Sequence, residues 1–277
     1  MDSISVYSKP FLLKLQENIQ RVDKRIDDYI DDSSDTNIHN IRTSIRRLDA
    51  SFITLPKKAR KGNRIRNYIK QCRLLFKINS KIRDYDIICK KLEPYSSQPI
   101  YTNLIESLRK RRNGELRKAR DIALSLRKLR LPKISKIDIS KKKLNRRFNK
   151  TISRFSDKIE LNFPVVLVNS NRKRQLHEMR KDCKKLRYLL ELHSYQSKEA
   201  DKTISELEEI QDMLGSIRDY DIAITHLRRI KHHSKEVSHI LDDMITQRAH
   251  KYDEFVEFYR DDLSYSKQNF SQILTFT

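Results

Sequence analysis

The stretch Ile38-His39-Asn40-Ile41-Arg42-Thr43-Ser44-Ile45-Arg46-Arg47-Leu48 decides how the chain is read, because its pattern occurs twice. The second copy is Leu176-His177-Glu178-Met179-Arg180-Lys181-Asp182-Cys183-Lys184-Lys185-Leu186. Both copies follow apolar-His-x-apolar-Arg-x-x-apolar-basic-basic-Leu. At about 100° per residue, a helix places His39, Arg42 and Arg46 within roughly 60° of one another. His177, Arg180, Lys184 and Arg187 make the same stripe, with Tyr188 upon it. Ile41, Ile45, Leu48 and Phe52 fall on the opposite side of the first copy, and Met179, Cys183, Leu186 and Leu190 on that of the second. Each segment therefore reads as an amphipathic helix with an apolar back and a cationic front headed by histidine.

A second motif repeats with them. The hexapeptide Ile82-Arg83-Asp84-Tyr85-Asp86-Ile87 returns unchanged as Ile217-Arg218-Asp219-Tyr220-Asp221-Ile222. The two histidines lie 138 residues apart and the two hexapeptides 135. Different motifs recurring at nearly one offset indicate an internal duplication. Around them, 3–4 spacing of apolar residues predicts helices over 10–31, from the polar break at 31–35 to Leu55, through the hexapeptide region, and over 100–130. The second half repeats the plan over 139–160, 171–195, 199–230 and 236–262, with Phe163-Pro164 expected to end the first of these. The expected architecture is all-α: two four-helix bundles, 1–132 and 133–277, related by pseudo-two-fold symmetry.

Composition supports helices and a polyanionic partner. The 277 residues include only three Gly and six Pro, few breakers for so long a chain. Sixty Lys and Arg oppose 37 Asp and Glu, a formal charge of +23. Such an excess calls for an anionic partner or a tolerance of self-repulsion. Residues 1–130 hold 31 cations against 15 carboxylates, and the remainder 29 against 22, so the first half should dominate the field. Between Ala50 and Arg83 there are eleven Lys and Arg and no acidic residue, whereas ordinary helices intersperse i,i+4 partners.

Several functions find no support. There is no glycine-rich phosphate loop, no strained serine elbow and no cysteine–histidine pairing, so no catalytic residues and no cofactor are assigned. His232, His233 and His239 could be a fragment of a metal site but lack a compact ligand set. The paired Asp residues of the hexapeptide lack further ligands at metal-binding spacing and read better as orienters of neighbouring Arg and Lys. Cys72, Cys89 and Cys183 are widely spaced and are expected to be reduced in a cytoplasmic protein. The N-terminal Met1-Asp2-Ser3-Ile4 carries no signal-peptide pattern, and the apolar run at 163–168 is far too short to span a bilayer.

The two histidine helices admit a plain reading, as exposed basic helices with His near a turn, and a functional one, in which guanidinium forks and ammonium groups grip an oxyanion. The duplicate favours the second, because His stands opposite the apolar stripe both times.

Taken together, these motifs resemble the conserved histidine α-helical domain, or CHAD, family. The resemblance rests on His39-Asn40-Ile41-Arg42 with Arg46-Arg47, His177-Glu178-Met179-Arg180 with Lys184-Lys185-Leu186-Arg187-Tyr188, Arg83-Asp84-Tyr85-Asp86, and Leu214-Gly215-Ser216-Ile217-Arg218-Asp219. It implies paired helical bundles around a basic groove that binds inorganic polyphosphate without catalysis. Arg73 and Lys77 match basic positions of the family's third helix, whereas Glu208 and Asp212 stand at their equivalents in the second half; Asn79-Ser80 replaces Leu214-Gly215 in the first. The expected binding set is His39, Arg42, Arg46, Arg47, Arg73, Lys77 and Arg83 facing His177, Arg180, Lys184, Lys185, Arg187, Tyr188 and Arg218. The resemblance further implies a cytoplasmic protein associated with polyphosphate granules, and a separate triphosphate-tunnel-type phosphohydrolase as partner. A membrane is not expected. Nucleic acid is expected only as a weak, non-specific ligand. The competing reading is a nucleic-acid-binding helical protein, carried by net charge and the 50–83 run but lacking a recognition module or stacking platform.

Overall fold

A computed structural model describes residues 8–132, 139–193, 198–230 and 234–260. Among these the fold is all-helical, with eight α-helices and two short 3₁₀ turns. In chain order they are α1 (Ser8–Asp31), α2 (Asp35–Thr54), α3 (Asn63–Leu92), α4 (Ile100–Arg127), α5 (Lys141–Val168), α6 (Lys173–His193), α7 (Lys198–Leu227) and α8 (Lys235–Arg260). Residues 133–138, next to the expected boundary at 132/133, lie outside the described set, as do His232, His233 and residues 261–277. No described helix is long and apolar enough to cross a membrane.

Local chemistry sets the helix ends. Ser34 caps α2, its side chain accepting from the Asn37 amide, and Asp35 places a carboxylate in the first turn, where the helix dipole favours negative charge. Leu55 adopts an extended conformation ahead of Pro56, which cannot continue a helix. One expectation fails here. Pro164 was to end α5, but the helix continues through it to Val168. Proline in a helix interior costs about 3 kcal/mol through its missing N–H and ring clash. Packing outweighs that cost: Phe163, Val166 and Leu167 are buried, the Tyr252 hydroxyl donates to the Val166 carbonyl, and Phe163 meets Tyr259 edge-on.

Sequential neighbours pack as hairpins: α1 with α2, α3 with α4, α5 with α6, and α7 with α8. In addition α2 packs on α6 and α3 on α7. The apolar backs of α2 and α6 are in the core: Ile41, Ile45, Leu48 and Phe52, and Met179, Cys183, Leu186 and Leu190, are all buried. Each such side chain contributes about 1.5–3 kcal/mol. A second apolar cluster joins Ile88 and Leu92 of α3, Ile105 and Leu108 of α4, Ala223, Ile224 and Leu227 of α7, and Ile240 and Met244 of α8. The cationic fronts of α2 and α6 are thereby turned toward each other.

Candidate anion-binding site

With their backs in the core, α2 and α6 present His39, Arg42, Arg46, Arg180, Lys184 and Arg187 to a shared space. A cavity of about 480 Å³ is lined there by His39, Arg46, Lys184, Arg187 and Tyr188 among others. Lys184 of α6 is one of these lining residues. Burial, then the guanidiniums of Arg180, Arg46, Arg187 and Arg42, pulls its ammonium from the usual lysine range down to about 7. Arg42 is likewise depressed to about 10, chiefly by burial and by Arg46. These shifts have a common cause: cations from two helices share a partly desolvated space.

The guanidiniums are held in place. Those of Arg42 and Arg46 lie over the Phe76 ring, 4.9 and 5.1 Å from its centroid, and those of Arg187 and Arg47 over Tyr188 at 4.7 and 5.6 Å. Arg42 Nη1 donates to Ser80 Oγ at 2.7 Å, and Arg180 Nε to the Gln211 carbonyl at 3.3 Å. Ser80 and Gly215 occupy matching positions of the repeat. A Cβ on Gly215 would come within 3.2 Å of Arg180 Nη2, so the absent side chain makes room for that guanidinium. Glu191 bridges the fronts, accepting from Arg47 Nε at 2.9 Å and from Arg187 Nη1 at 3.1 Å.

Each histidine sits beside the hexapeptide arginine of its own half. Burial, then Arg46, Arg83, Arg42 and Lys184, lowers the His39 pKa. Burial, then Arg218, Lys181 and Arg180, brings His177 down to about 4, and its Nδ1 is buried without a protein hydrogen-bond partner. Both shifts favour the neutral ring over the imidazolium.

The hexapeptide carboxylates divide into two roles. Asp84 and Asp219 are drawn into the cationic centre, Asp84 facing Arg218 and Arg42, and Asp219 facing Arg180, Lys91, Arg83 and Lys184; burial raises both pKa values. Asp86 and Asp221 are structural. Asp86 accepts from Arg112 of α4, which also reaches Asp35 at the start of α2. Asp221 accepts from Arg248 of α8 at 3.0 Å, and Arg248 Nη2 donates to the Ser170 carbonyl ahead of α6. One clamp ties α4 to the beginning of α2, the other α8 to the residue ahead of α6. Tyr85 and Tyr220 pack against the second apolar cluster, the Tyr220 ring 3.6 Å from Lys91 Nζ.

Arg42, Arg83 and Arg180 do not line the cavity but act on His39 or Lys184, which do, and His177 and Arg218 also lie off its lining; three further sequence-derived candidates lie apart. Arg73 is exposed and engages Asp49 over the Phe52 ring. Lys77 is exposed on α3. Lys185 is exposed and reaches Asp182 at 3.5 Å and the Phe155 ring. Lys185 follows Lys184 in sequence, and a helix turns successive residues by about 100°, so the second of the two basic residues leaves the front. Conversely, Arg21 and Arg25 of α1, with Thr43 and Gln211, line the cavity without having been singled out. Arg21 and Arg25 stand at i,i+4 on the first helix, a signal masked by the abundance of basic residues elsewhere. Glu208 and Asp212 of α7 also border the space. Among the described residues, no group of three or more His, Cys, Asp or Glu could hold a metal ion.

Fold and site thus define an all-helical protein whose paired basic helices converge on one cavity. The sequence matches the CHAD domain family model over residues 14–228, and the chain belongs to that family. The fold is similar to the crystal structure of the CHAD domain from the plant Ricinus communis, with a TM-score of 0.68 and 17% identity over 90% of this chain and 89% of that one. No curated protein matches the sequence.

Proposed function

We propose that the chain binds inorganic polyphosphate, without catalysing its turnover, in the groove between the cationic fronts of α2 and α6. The observation that supports this most is the placing of Lys184 among Arg42, Arg46, Arg180 and Arg187, two helices contributing cations to one cavity. An anion there relieves the mutual repulsion and offsets the cost of desolvating these groups. A linear chain of phosphates suits a row of forks and point charges better than a single small anion does. On this reading the halves 1–132 and 133–277 are two duplicated four-helix bundles, and the groove lies along their pseudo-two-fold axis. The contacts of α2 with α6 and α3 with α7, and the matching Arg112–Asp86 and Arg248–Asp221 clamps, support that arrangement. The binding set is His39, Arg42, Arg46, Arg47, Arg83, His177, Arg180, Lys184, Arg187, Tyr188 and Arg218, with Arg73, Lys77 and Lys185 as outlying contacts. A cytoplasmic location near polyphosphate granules and a separately encoded triphosphate-tunnel-type phosphohydrolase as partner complete the proposal.

Thermal unfolding at low salt with added long-chain polyphosphate tests it, because a ligand that binds only the native state raises Tm. The proposal expects a rise that survives excess DNA or RNA and is lost at high salt. No rise overturns it, and displacement by nucleic acid at equal charge overturns it in favour of a general polyanion binder. Phosphate release on incubation with polyphosphate and Mg²⁺ would overturn the non-catalytic assignment.

A further inference from the structure

We infer that α1 extends the proposed polyphosphate site into a second groove, so that the chain distinguishes long polyphosphate from short. The inference rests on the polyphosphate reading above. Lys14, Asn18, Arg21 and Arg25 stand at i, i+4, i+7 and i+11, one face of a single helix. A second pocket of about 240 Å³ lies against this face, lined by Lys14, Asn18 and Arg21 on one side and Arg47, Tyr188 and Glu191 on the other. It shares Arg21, Arg47 and Tyr188 with the central cavity, so the two adjoin at these side chains. From Arg25 to Lys14 the path runs about 16 Å along α1, at 1.5 Å per residue.

Charge gives this path a direction. The α7 edge of the central cavity carries Asp212, whose carboxylate disfavours an anion leaving that way, and Glu208, which accepts from Arg187 Nη1 at 3.2 Å. The α1 edge carries Arg21 and Arg25. Three of the five α1 carboxylates are ion-paired: Glu17 with Lys14 at 3.1 Å, Asp28 with Arg25 at 2.9 Å and Asp27 with Arg127 at 3.1 Å. Glu191, in the second pocket, accepts from both Arg47 and Arg187. Arg21 is exposed and has no carboxylate partner among the described residues. A linear polyanion anchored at Lys184 therefore continues past Arg25 and Arg21 toward Lys14, while a short one ends in the central cavity.

The test is titration calorimetry of tripolyphosphate and of long-chain polyphosphate against the full chain and the Lys14→Ala variant, Lys14 lining the second pocket and not the central cavity. Lys110→Ala, a removed charge on an exposed part of α4 outside both pockets, is the control. Lys14 is not a core residue, and an unchanged Tm verifies folding of the variant. We expect long-chain affinity to fall several-fold and its salt slope to shrink by about one, with tripolyphosphate unchanged within about twofold. Lys14→Arg should keep most of the long-chain affinity. Equal losses for both ligands, or no loss for either, overturn the extended groove and leave the central site standing. If the unaltered chain binds neither ligand, the polyphosphate reading fails and takes this inference with it.

Discussion

Replacing Lys184 by Met should make the ligand-free protein more stable and remove one contribution to its pH dependence above pH 7. Lys184 titrates near 7 in the folded chain against 10.5 for an ordinary lysine, chiefly through burial and then through Arg180, Arg46, Arg187 and Arg42. At 1.36 kcal/mol per pKa unit, holding this ammonium charged in the fold costs about 5 kcal/mol below pH 7. The sign follows from proton counting. Between pH 7 and 10.5 the unfolded chain binds the extra proton, so stability rises with pH across that window. By pH 9 the cost has fallen to about 2 kcal/mol. Met keeps most of the aliphatic stem and removes the charge. The difference in unfolding free energy between Lys184→Met and the unaltered chain, from urea titrations, should favour the variant and shrink by about 3 kcal/mol between pH 6 and pH 9. Taking the difference cancels groups that titrate in both proteins. The variant should also bind long-chain polyphosphate more weakly at every pH. A difference that stays constant with pH, or a variant less stable at pH 6, refutes the electrostatic account of the site.

Other outcomes follow from the same geometry. Asp221→Ala leaves Arg248 buried and unpaired (the two are 3% and 6% exposed), so urea unfolding should show a loss of about 3–5 kcal/mol, with a smaller loss for Asp86→Ala because Arg112 keeps Asp35. His177, depressed to about 4, makes the unfolded chain the stronger proton binder between pH 6.5 and 4; stability should fall as pH drops through that window, and His177→Gln should lessen the fall. Polyphosphate should raise the His177 pKa, read by NMR titration of the ring. Gly215→Ala sets a Cβ 3.2 Å from Arg180 Nη2; the guanidinium must move, so polyphosphate affinity should drop several-fold while Tm stays near its original value, since Ala gains about 1 kcal/mol of helix propensity over Gly.

The helices and their facing were legible in the sequence because burial has a period. Ile41, Ile45 and Leu48, with Met179, Cys183 and Leu186, had to share one side, and that side is in the core. The fronts of α2 and α6 followed by subtraction. The hexapeptide was legible as paired carboxylates steering cations, but not its division of labour: Asp84 and Asp219 face Arg42, Arg180 and Lys184, and Asp86 and Asp221 face α4 and α8, which depends on the facing of helices far apart in sequence. Pro164 misled because a local rule met a tertiary one, and Phe163 and Val166 were better buried than released. Arg73 and Lys77 were taken from the resemblance, and nothing local showed that Asp49 would hold Arg73 outside the cavity. Arg21 and Arg25 were missed because their significance comes from α1 packing near α6, a contact that no spacing within α1 encodes.

The most direct test of the central claim is a crystal structure of the full chain with polyphosphate, read for where phosphate density lies. The account predicts a chain of phosphates between α2 and α6, within hydrogen-bond distance of Arg46, Arg180 and Lys184. Density confined to the outer face of α3, along Arg66, Lys70 and Lys77, with Lys184 uncontacted, would contradict it.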